Sequence, residues 1–390
     1  MATEAGLKDG FTLWGAAHSL YSGKVRSYLI KKGLPYREFY PSSPEFHSRI
    51  VPAVKSLVIP VLETPEGEII QDSTDIIDYL EARHPAPAMT PAGPVLRTVA
   101  MVIDAFGSEQ MLPLAMHYRW SYRADQERFL QAEFGRAVHA GADREARLQS
   151  GESFMKYFSG FLPGLGVSPE TIPALEASYF DLLEALDVHL QAYPYLLGGR
   201  PSIADFGMMA PLYAHLGRDP APATVMKTRA PNVYRWVERM NLAGVADGEF
   251  RDCPERYLDD DAIPATLETV LRVMFSDWTP GLVADAERFN LWVADQPNLA
   301  AGHLVSADGA HRVHPNLGAI AYPWRGVTMR RDSAPHALWL HSRAADQARS
   351  LSGPAREALQ ALLTRTGGAE AMAIRLSRPM RRDDFALVLA

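Results

Sequence analysis

Near the start of the chain, short apolar runs typical of strands take turns with apolar residues at helical spacing. Phe11–Trp14 and Tyr36–Tyr40 are short runs that predict strands. Between them, apolar residues recur three or four positions apart until Gly33, which predicts a helix with a glycine at its C-terminal end. A strand, a helix and a second strand therefore open the chain.

A hairpin and a further helix follow. Val61–Glu63 and Glu68–Gln71 flank Thr64-Pro65-Glu66-Gly67, a turn with proline in its second position. Asp72 or Ser73 can cap the next helix. That helix carries the apolar residues Ile76, Ile77 and Leu80. The predicted order is β-α-β, a loop-rich crossover, then β-β-α, which is an α/β domain.

The strand patterns stop after a proline-rich segment. His84–Pro94 contains four prolines and one glycine in eleven residues, a composition typical of a linker. Beyond it, apolar residues recur at helical spacing in two stretches, and Arg119–Arg147 between them is also predicted to be helical. The periodic residues are Leu96, Val99, Ile103 and Phe106, then Leu175, Tyr179, Leu182 and Leu186. We predict a first domain at 10–85 and a helical second domain at 95–249.

The clearest helix start in the second domain is at Pro201–Phe206. Ser202 can accept a hydrogen bond from the amide of Asp205, and the carboxylate of Asp205 can reach back to the amide of Ser202. This capping box predicts a structural role for both residues.

Residues 250–390 have a less regular pattern. Ser352-Gly353-Pro354 before a helical pattern, and Gly367 after it, predict one well-delimited helix. Ala373–Leu376 and Phe385–Leu389 predict strands. Because the many aromatic residues of this extension must be buried or bind something, we expect it to pack on the helical domain and help shape a substrate pocket.

Composition narrows the functional classes. Lys and Arg total 39 against 46 Asp and Glu, a formal net charge of -7, which argues against a nucleic-acid partner because such partners need a basic face. The single cysteine, Cys253, excludes a disulfide framework within one chain. No apolar run approaches the roughly 18 residues of a membrane span, and Met1–Gly10 lacks the apolar segment of a signal peptide. A reducing, cytoplasmic location without a membrane partner is expected. The histidines between 303 and 341 match no metal-ligand spacing, so no metal is expected.

Candidate catalytic hydroxyls lie between the first strand and the first helix. Ser19 and Ser22, with Tyr21 as a third candidate, stand at a helix N-terminus, where backbone amides attract anions. Lowering the pKa of a bound thiol from about 8.5 to about 6.5 requires about 2.7 kcal/mol. One hydrogen bond to a charged group contributes roughly 1.5–3 kcal/mol and the helix end roughly 0.3–1 kcal/mol, so one hydroxyl suffices. The alternative is that these serines only cap the helix.

Two more segments offer polar backbone or side-chain groups. Val58-Ile59-Pro60-Val61 places a proline at the start of a strand, and spacing alone predicts a trans bond because only about 5–6% of such bonds are cis. Gln71-Asp72-Ser73 combines an amide, an acid and a hydroxyl that could hold a carboxylate and an amino group. Its alternative is again a plain helix cap.

Together, these stretches resemble the N-terminal domain of the cytosolic glutathione S-transferase family. The resemblance lies in LWGAAHSLYSGKVRSYLIKKGLPY and, more specifically, in VIPVLETPEGEIIQDSTDIIDYLE. GGRPSIADF is similar to the capping motif of that family's second domain. The resemblance covers residues 10–245. It implies a thioredoxin-like first domain of order β-α-β-α-β-β-α, an all-helical second domain, and an unusual C-terminal extension at 250–390.

The resemblance also implies roles for single residues. Pro60 would be cis, the backbone of Ile59 would pair with the cysteine of glutathione, and Asp72 and Ser73 would hold the γ-glutamyl end. Ser19 falls where serine- and cysteine-type members carry their active residue. The segment from Ser19 to Ser22 also lies over the Cys-Pro-Tyr-Cys of glutaredoxins, and the absence of both sulfurs argues against thiol–disulfide chemistry by the protein itself.

A third implied element is the pocket for the electrophile. His117, Tyr118 and Trp120 fall where that pocket lies in the family and could stack on a hydrophobic co-substrate. Arg119 could bind an acidic group of the co-substrate. Ordinary helix packing is the alternative for all four residues.

The resulting hypothesis is a cytoplasmic, homodimeric transferase that uses glutathione as co-substrate. The glutathione thiolate would attack a small, hydrophobic or aromatic electrophile, and conjugation, ether cleavage, dehalogenation and isomerisation all remain open. The alternative is a non-catalytic glutathione-binding or scaffold protein, which the extra C-terminal residues favour.

Overall fold

The first domain is built on one small mixed sheet. The computed structural model describes residues 10–296 and 298–390. The strands β1 (Phe11–Trp14), β2 (Tyr36–Phe39), β3 (Val61–Glu63) and β4 (Ile69–Gln71) lie in the order β2-β1-β3-β4. β1 pairs with β2 in parallel, whereas the β1–β3 and β3–β4 pairs are antiparallel. The predicted strands and hairpin are confirmed.

Three helices complete this domain. They are α1 (Leu20–Lys32), α2 (Val51–Val54) and α3 (Ser73–Arg83), and a π-helical turn at Phe46–Ile50 runs directly into α2. α1 begins after its N-cap, Ser19, and ends at Gly33, whose φ of 70° a residue with a side chain rarely adopts. The order β-α-β-α-β-β-α is that of a thioredoxin-like domain, as expected.

The second part of the chain is helical. Its helices are α4 (Pro94–Ala105), α5 (Leu112–Ser121), α6 (Arg123–Val138), α7 (Arg144–Ser159), α8 (Ile172–Ala192), α9 (Ile203–Ala214), α10 (Pro220–Arg229) and α11 (Pro231–Met240). A π-helical turn at Phe106–Gln110 separates α4 from α5. The capping box predicted at Ser202 and Asp205 begins α9.

The extension is mixed, as predicted, but its elements differ in part from the sequence pattern. They are α12 (Ala265–Ala294), β5 (Ala319–Trp324), β6 (Val327–Asp332), α13 (Pro335–Ser350), α14 (Gly353–Thr366), α15 (Ala369–Ala373), β7 (Met380–Asp383) and β8 (Ala386–Leu389). The helix delimited by Ser352 and Gly367 is confirmed.

Two features of the extension correct the sequence prediction. The strand expected at Ala373–Leu376 is wrong, because Ala373 ends α15 and the next residues are irregular. The strand expected at Phe385–Leu389 is present as β8 (Ala386–Leu389), and its antiparallel partner is Met380–Asp383, which was not predicted. The longest helix, α12, was not predicted although its buried residues recur at helical spacing.

The extension packs on both preceding parts of the chain. α12 lies against α8, and α13 lies against α4. Buried residues of all three parts, among them Leu13, Leu182 and Trp278, belong to one continuous hydrophobic core. The β7–β8 hairpin reaches the first domain, where Phe385 packs against the apolar cluster that contains Trp14 and Val61. In the part of the chain that is described, no helix has the length and apolar character needed to cross a membrane.

Candidate functional site

Three segments leave the sheet of the first domain at the same end. Trp14 at the end of β1 pairs with Val61 at the start of β3, which pairs with Gln71 at the end of β4. The loop before Ser19, the Ile59–Pro60 bond and the Asp72–Ser73 pair therefore all lie at one end of the sheet. The sheet register brings together residues that are up to 54 positions apart in sequence, from Ser19 to Ser73.

Ser19 is the partly exposed hydroxyl at the start of α1. Its Oγ accepts a hydrogen bond from the amide of Ser22 at 3.4 Å. The hydroxyl of Ser22 is instead buried below the turn and accepts from the amide of Ala16 at 3.4 Å. Of the two serines, Ser19 is the one placed to meet a ligand.

Tyr21 has a different partner. Its hydroxyl donates to Oε1 of Glu109, on the π-helical turn of the helical part, at 3.3 Å. Burial and the charge of Glu109 raise the pKa of Tyr21 well above its ordinary value, so the phenol stays protonated. This contact ties Tyr21 to Glu109 and argues against a role as the group that binds the thiolate.

The Ile59–Pro60 peptide bond is cis. The trans bond favoured by spacing alone is wrong, and the cis bond implied by the family resemblance is confirmed. Ile59 is half-buried, and it packs with Trp14 and Val61.

Asp72 and Ser73 begin α3. Oδ1 of Asp72 accepts a hydrogen bond from the amide of Thr74 at 2.8 Å, which makes Asp72 the N-cap. Its φ of 87° lies in a region that non-glycine residues rarely occupy and that is concentrated at functional sites. Ser73, the first helical residue, is buried.

The second carboxylate oxygen of Asp72 is bound by a residue from the extension. Nε2 of His336 lies 3.0 Å from Oδ2 of Asp72, and Nδ1 of the same ring lies 2.9 Å from Oε1 of Glu109. Burial lowers the pKa of His336, but the charges of Glu109 and Asp72 outweigh burial and raise it to about 10. His336 is therefore an imidazolium ion held between two carboxylates.

A second cation of the extension lies at the same edge. Nη2 of Arg382 donates to Oε1 of Gln71 at 2.6 Å, and its Nε donates to Oδ2 of Asp75 at 3.1 Å. Burial and the charge of Asp72 raise the pKa of Asp75 to about 6, although Arg382 opposes them. The extension thus contacts Gln71 and Asp72 of the predicted γ-glutamyl site, and Asp75 further along α3.

The four residues predicted to line the electrophile pocket are buried in helix packing. His117 contacts the hydroxyl of Ser121 at 2.9 Å and Glu176 at 3.1 Å. The ring of Tyr118 packs edge-on against another tyrosine of the core. Trp120 is buried in a second cluster of apolar side chains. The structure gives these side chains partners within the protein, which corrects the expectation that they face a co-substrate.

Arg119 is buried, and its guanidinium group is fully hydrogen-bonded within the protein. Its Nε and Nη2 donate to the carboxylate of Asp219 at 2.6 and 2.9 Å, and Nη1 donates to the carbonyl of His18 at 2.8 Å. Nη1 and Nη2 also contact His215 and the carbonyl of Ala214. Because all five N–H groups have partners, Arg119 has none for an acidic co-substrate. It holds the loop that carries Ser19.

A small cavity lies elsewhere, between α5, α8, α12 and the β5–β6 hairpin. Its volume is about 30 Å³, and Leu114, Leu175, Tyr322 and Trp324 are among its lining residues. This volume holds about two water molecules, which is too little for an aromatic electrophile. Among residues 10–296 and 298–390, no group of three or more histidine, cysteine, aspartate or glutamate side chains is arranged to hold a metal ion.

Sequence reasoning missed three residues of this site: Glu109, His336 and Arg382. His336 and Asp72 are 264 positions apart, and no periodicity or motif links positions so distant. The only signal was that the extension carries histidines and arginines that no local pattern explains.

Two protein-family models match parts of the chain. Residues 13–88 match the glutathione S-transferase N-terminal domain, and residues 169–239 match the glutathione S-transferase C-terminal domain. At these residues the chain therefore carries both domains of the glutathione S-transferase family. No curated protein matches the chain.

Solved structures of glutathione S-transferases are similar to part of the chain. A protein of Methylobacterium radiotolerans in complex with glutathione sulfonate is 20% identical, with 65% of this chain and 99% of that chain covered and a TM-score of 0.34. The β-etherase LigF of Sphingobium sp. strain SYK-6 is 18% identical, with 62% and 98% covered and a TM-score of 0.37. A Pseudomonas fluorescens family member with two glutathione molecules bound is 18% identical, with 60% and 90% covered and a TM-score of 0.34.

Proposed function

We propose that this protein is a glutathione-dependent transferase whose thiolate-stabilising group is Ser19. The observation that carries the proposal is the convergence of Ser19, Ile59–Pro60 and Asp72–Ser73 at one end of the sheet in a domain of the glutathione S-transferase family. In this proposal, the backbone of Ile59 binds the cysteine of glutathione. Asp72 and Ser73 bind its γ-glutamyl end.

The chemistry follows from the position of Ser19. Its hydroxyl would donate a hydrogen bond to the sulfur, and the free amides at the start of α1 would add a favourable field. The thiol proton passes to solvent, and the thiolate attacks an electrophile as a nucleophile. Conjugation, ether cleavage, dehalogenation and isomerisation all begin with this step, so the site itself does not select among them.

A second candidate function is a non-catalytic glutathione-binding or scaffold protein. The observation that favours it is that His336 and Arg382 already bind Asp72 and Gln71. A site whose ligand-binding groups have partners within the chain binds a small molecule less readily. For either function we propose domains at 10–85 and 95–249 with the extension at 250–390, a homodimer, and a cytoplasmic location.

Calorimetry and turnover separate the two functions. We expect glutathione to bind at millimolar concentration and an aryl halide to be conjugated in its presence. Binding without turnover against a panel of aryl halides, aryl ethers and epoxides would favour the scaffold. Absence of binding at millimolar glutathione would contradict the transferase and leave a scaffold that does not use glutathione.

A further inference from the structure

His336 is joined to Asp72, which stands at the predicted γ-glutamyl position, and to Glu109 beside it. Its two ring nitrogens lie 3.0 Å from Asp72 and 2.9 Å from Glu109. The other oxygen of Asp72 already caps α3 through the amide of Thr74. The oxygen of Glu109 that contacts His336 also accepts from Tyr21. The imidazolium therefore takes the second oxygen of Asp72 and shares one oxygen of Glu109 with Tyr21.

The ring is not held there by its own helix. His336 is the second residue of α13, and a positive charge at a helix N-terminus is unfavourable because the backbone dipoles point their positive end outward. The attraction of Asp72 and Glu109 compensates for this. The His336 side chain is 22% exposed and that of Asp72 is 12% exposed, so both reach the surface in part.

Glutathione carries a free α-ammonium group on its γ-glutamyl residue. An ammonium group and an imidazolium both present N–H donors with a positive charge, and both bind carboxylates at 2.7–2.9 Å or slightly more. Only one of them can occupy the same oxygen of Asp72 in the same direction. The ligand and the side chain are therefore in competition.

We propose that His336 is an internal substitute for the α-ammonium group of glutathione, so that its side chain competes with the ligand for Asp72 and lowers the affinity of the site. This inference rests on the proposed function, since it takes the γ-glutamyl end to lie at Asp72. It assigns His336 as a residue that determines ligand specificity. While the ring is in place, the site gains little from the α-ammonium group, so a ligand that keeps the carboxylate beside it but lacks the amino group binds about as tightly as glutathione.

The ligand pair that tests this is glutathione and its deaminated analogue, glutaryl-cysteinyl-glycine. The two differ only in the α-ammonium group. We expect the full-length protein to bind them with similar dissociation constants, because the ammonium position is filled. In His336→Ala, Asp72 and Glu109 lose their cationic partner, and glutathione should bind about tenfold more tightly than it binds the unchanged protein. The deaminated analogue should gain less than glutathione does.

The control is a variant of the same helix. Arg343 on α13 pairs with Asp78 on α3 at 2.5 Å, which is another contact between the extension and the first domain that does not involve Asp72. Arg343→Ala should leave both dissociation constants unchanged. His336→Gln keeps a polar side chain of similar size without the charge and should give the same preference for glutathione as His336→Ala, which guards against a folding defect in the smaller variant.

Each outcome of the calorimetry bears on a separate claim. Tighter binding of glutathione in both His336 variants, with no change in Arg343→Ala, supports the competition. If glutathione binds the unchanged protein, and binds both His336 variants with equal or lower affinity, the competition is overturned and the proposed function stands. Absence of glutathione binding to the protein and to all three variants contradicts the proposed function itself.

Discussion

A single hydroxyl at the start of a helix decides the proposed chemistry at the residue scale. Ser19 is partly exposed and lies beyond the end of β1, whereas Ser22 is buried one turn further along. Both lie at the positive end of α1, so the helix field alone does not distinguish them. What distinguishes them is access to a ligand.

We expect Ser19→Ala to raise the pKa of the bound glutathione thiol by about 1 to 2, which is the equivalent of one lost hydrogen bond to a charged group. The thiolate absorbs in the ultraviolet, so a pH titration of the complex measures this pKa directly. Ser22→Ala is the matched control and should leave the thiol pKa unchanged while it costs some stability. A raised thiol pKa in Ser22→Ala alone would contradict the role of Ser19.

Arg119 makes a different kind of contribution, because it is buried with every donor bound. Arg119→Met should lower the free energy of unfolding by about 3–5 kcal/mol, since it leaves the carboxylate of Asp219 buried without a partner. Urea unfolding measures this. Arg123→Met is the control, because Arg123 pairs with Glu127 and Glu152 near the surface, and such pairs are worth roughly 0–1 kcal/mol. Equal losses in both variants would show that the burial of Arg119 has no special weight.

The local sequence is enough to predict Ser19 and Asp72 as helix caps, but it does not predict whether Arg119 is buried or faces a pocket. The first two are set by neighbours within three positions, through caps that the sequence displays. The partner of Arg119 is 100 positions away, so whether its guanidinium faces a pocket or the core depends on tertiary packing. The same holds for His336, whose partners lie on two other parts of the chain.

At the scale of an element, the start of α9 shows how a local signal acquires distant partners. Oδ2 of Asp205 accepts from the amide of Ser202 at 2.9 Å, as the capping box predicts. Oδ1 also accepts from the amide of Leu196 and from the indole of Trp236, both at 3.0 Å. The cap therefore fixes α9 to a preceding turn and to α11.

Asp205→Ala should cost about 2–4 kcal/mol of unfolding free energy, because it removes a cap and leaves buried donors without an acceptor. Urea unfolding measures the loss. Glutathione affinity per folded molecule should not change, since Asp205 lies away from the candidate site. Unchanged stability together with lost glutathione binding would refute the structural assignment.

The elements differ in how far sequence predicts them. α1, the β3–β4 hairpin and α14 are bounded by glycine, proline or a capping serine, and each was predicted close to its bounds. α12 was missed because Pro280 and Gly281 lie inside the helix and resemble a break in the pattern. Packing against α8 keeps the chain helical across Pro280 and Gly281. A short stretch of sequence does not reveal this packing partner.

On the scale of the whole molecule, the extension connects the two family domains through charge as well as packing. His336 and Arg382 pair with acids of the first domain. Because the pKa of His336 is raised from 6.5 to about 10, its contribution to stability is complete below about pH 6.5 and is lost as the pH rises towards about 10. Lys31, whose burial lowers its pKa to about 8, also titrates in this range.

We therefore expect the difference in unfolding free energy between the protein and His336→Gln to shrink from about pH 6 to about pH 10. Comparing the two proteins at each pH removes the contribution of Lys31 and of other groups that do not interact with His336. Urea titrations across this range measure the difference. A difference that stays constant with pH would contradict a protonated His336 in the folded protein.

The last prediction concerns whether the family domains can fold without the extension. Residues of α12 such as Leu271, Phe275 and Trp278 are buried in the same core as the helical part, and α13 covers α4. Ending the chain at Phe250 would expose these apolar faces to water, at about 25 cal/mol for each Å² of newly exposed apolar surface.

We expect residues 1–250 to unfold at a lower urea concentration than the full chain, or without a cooperative transition, and to lose transferase turnover. Residues 251–390 alone should not unfold cooperatively, because their apolar faces pack against α4 and α8, which this fragment lacks. Urea unfolding of both fragments and of the full chain tests this. An unchanged midpoint and full turnover in residues 1–250, with cooperative folding of residues 251–390, would instead mark the extension as an independent domain.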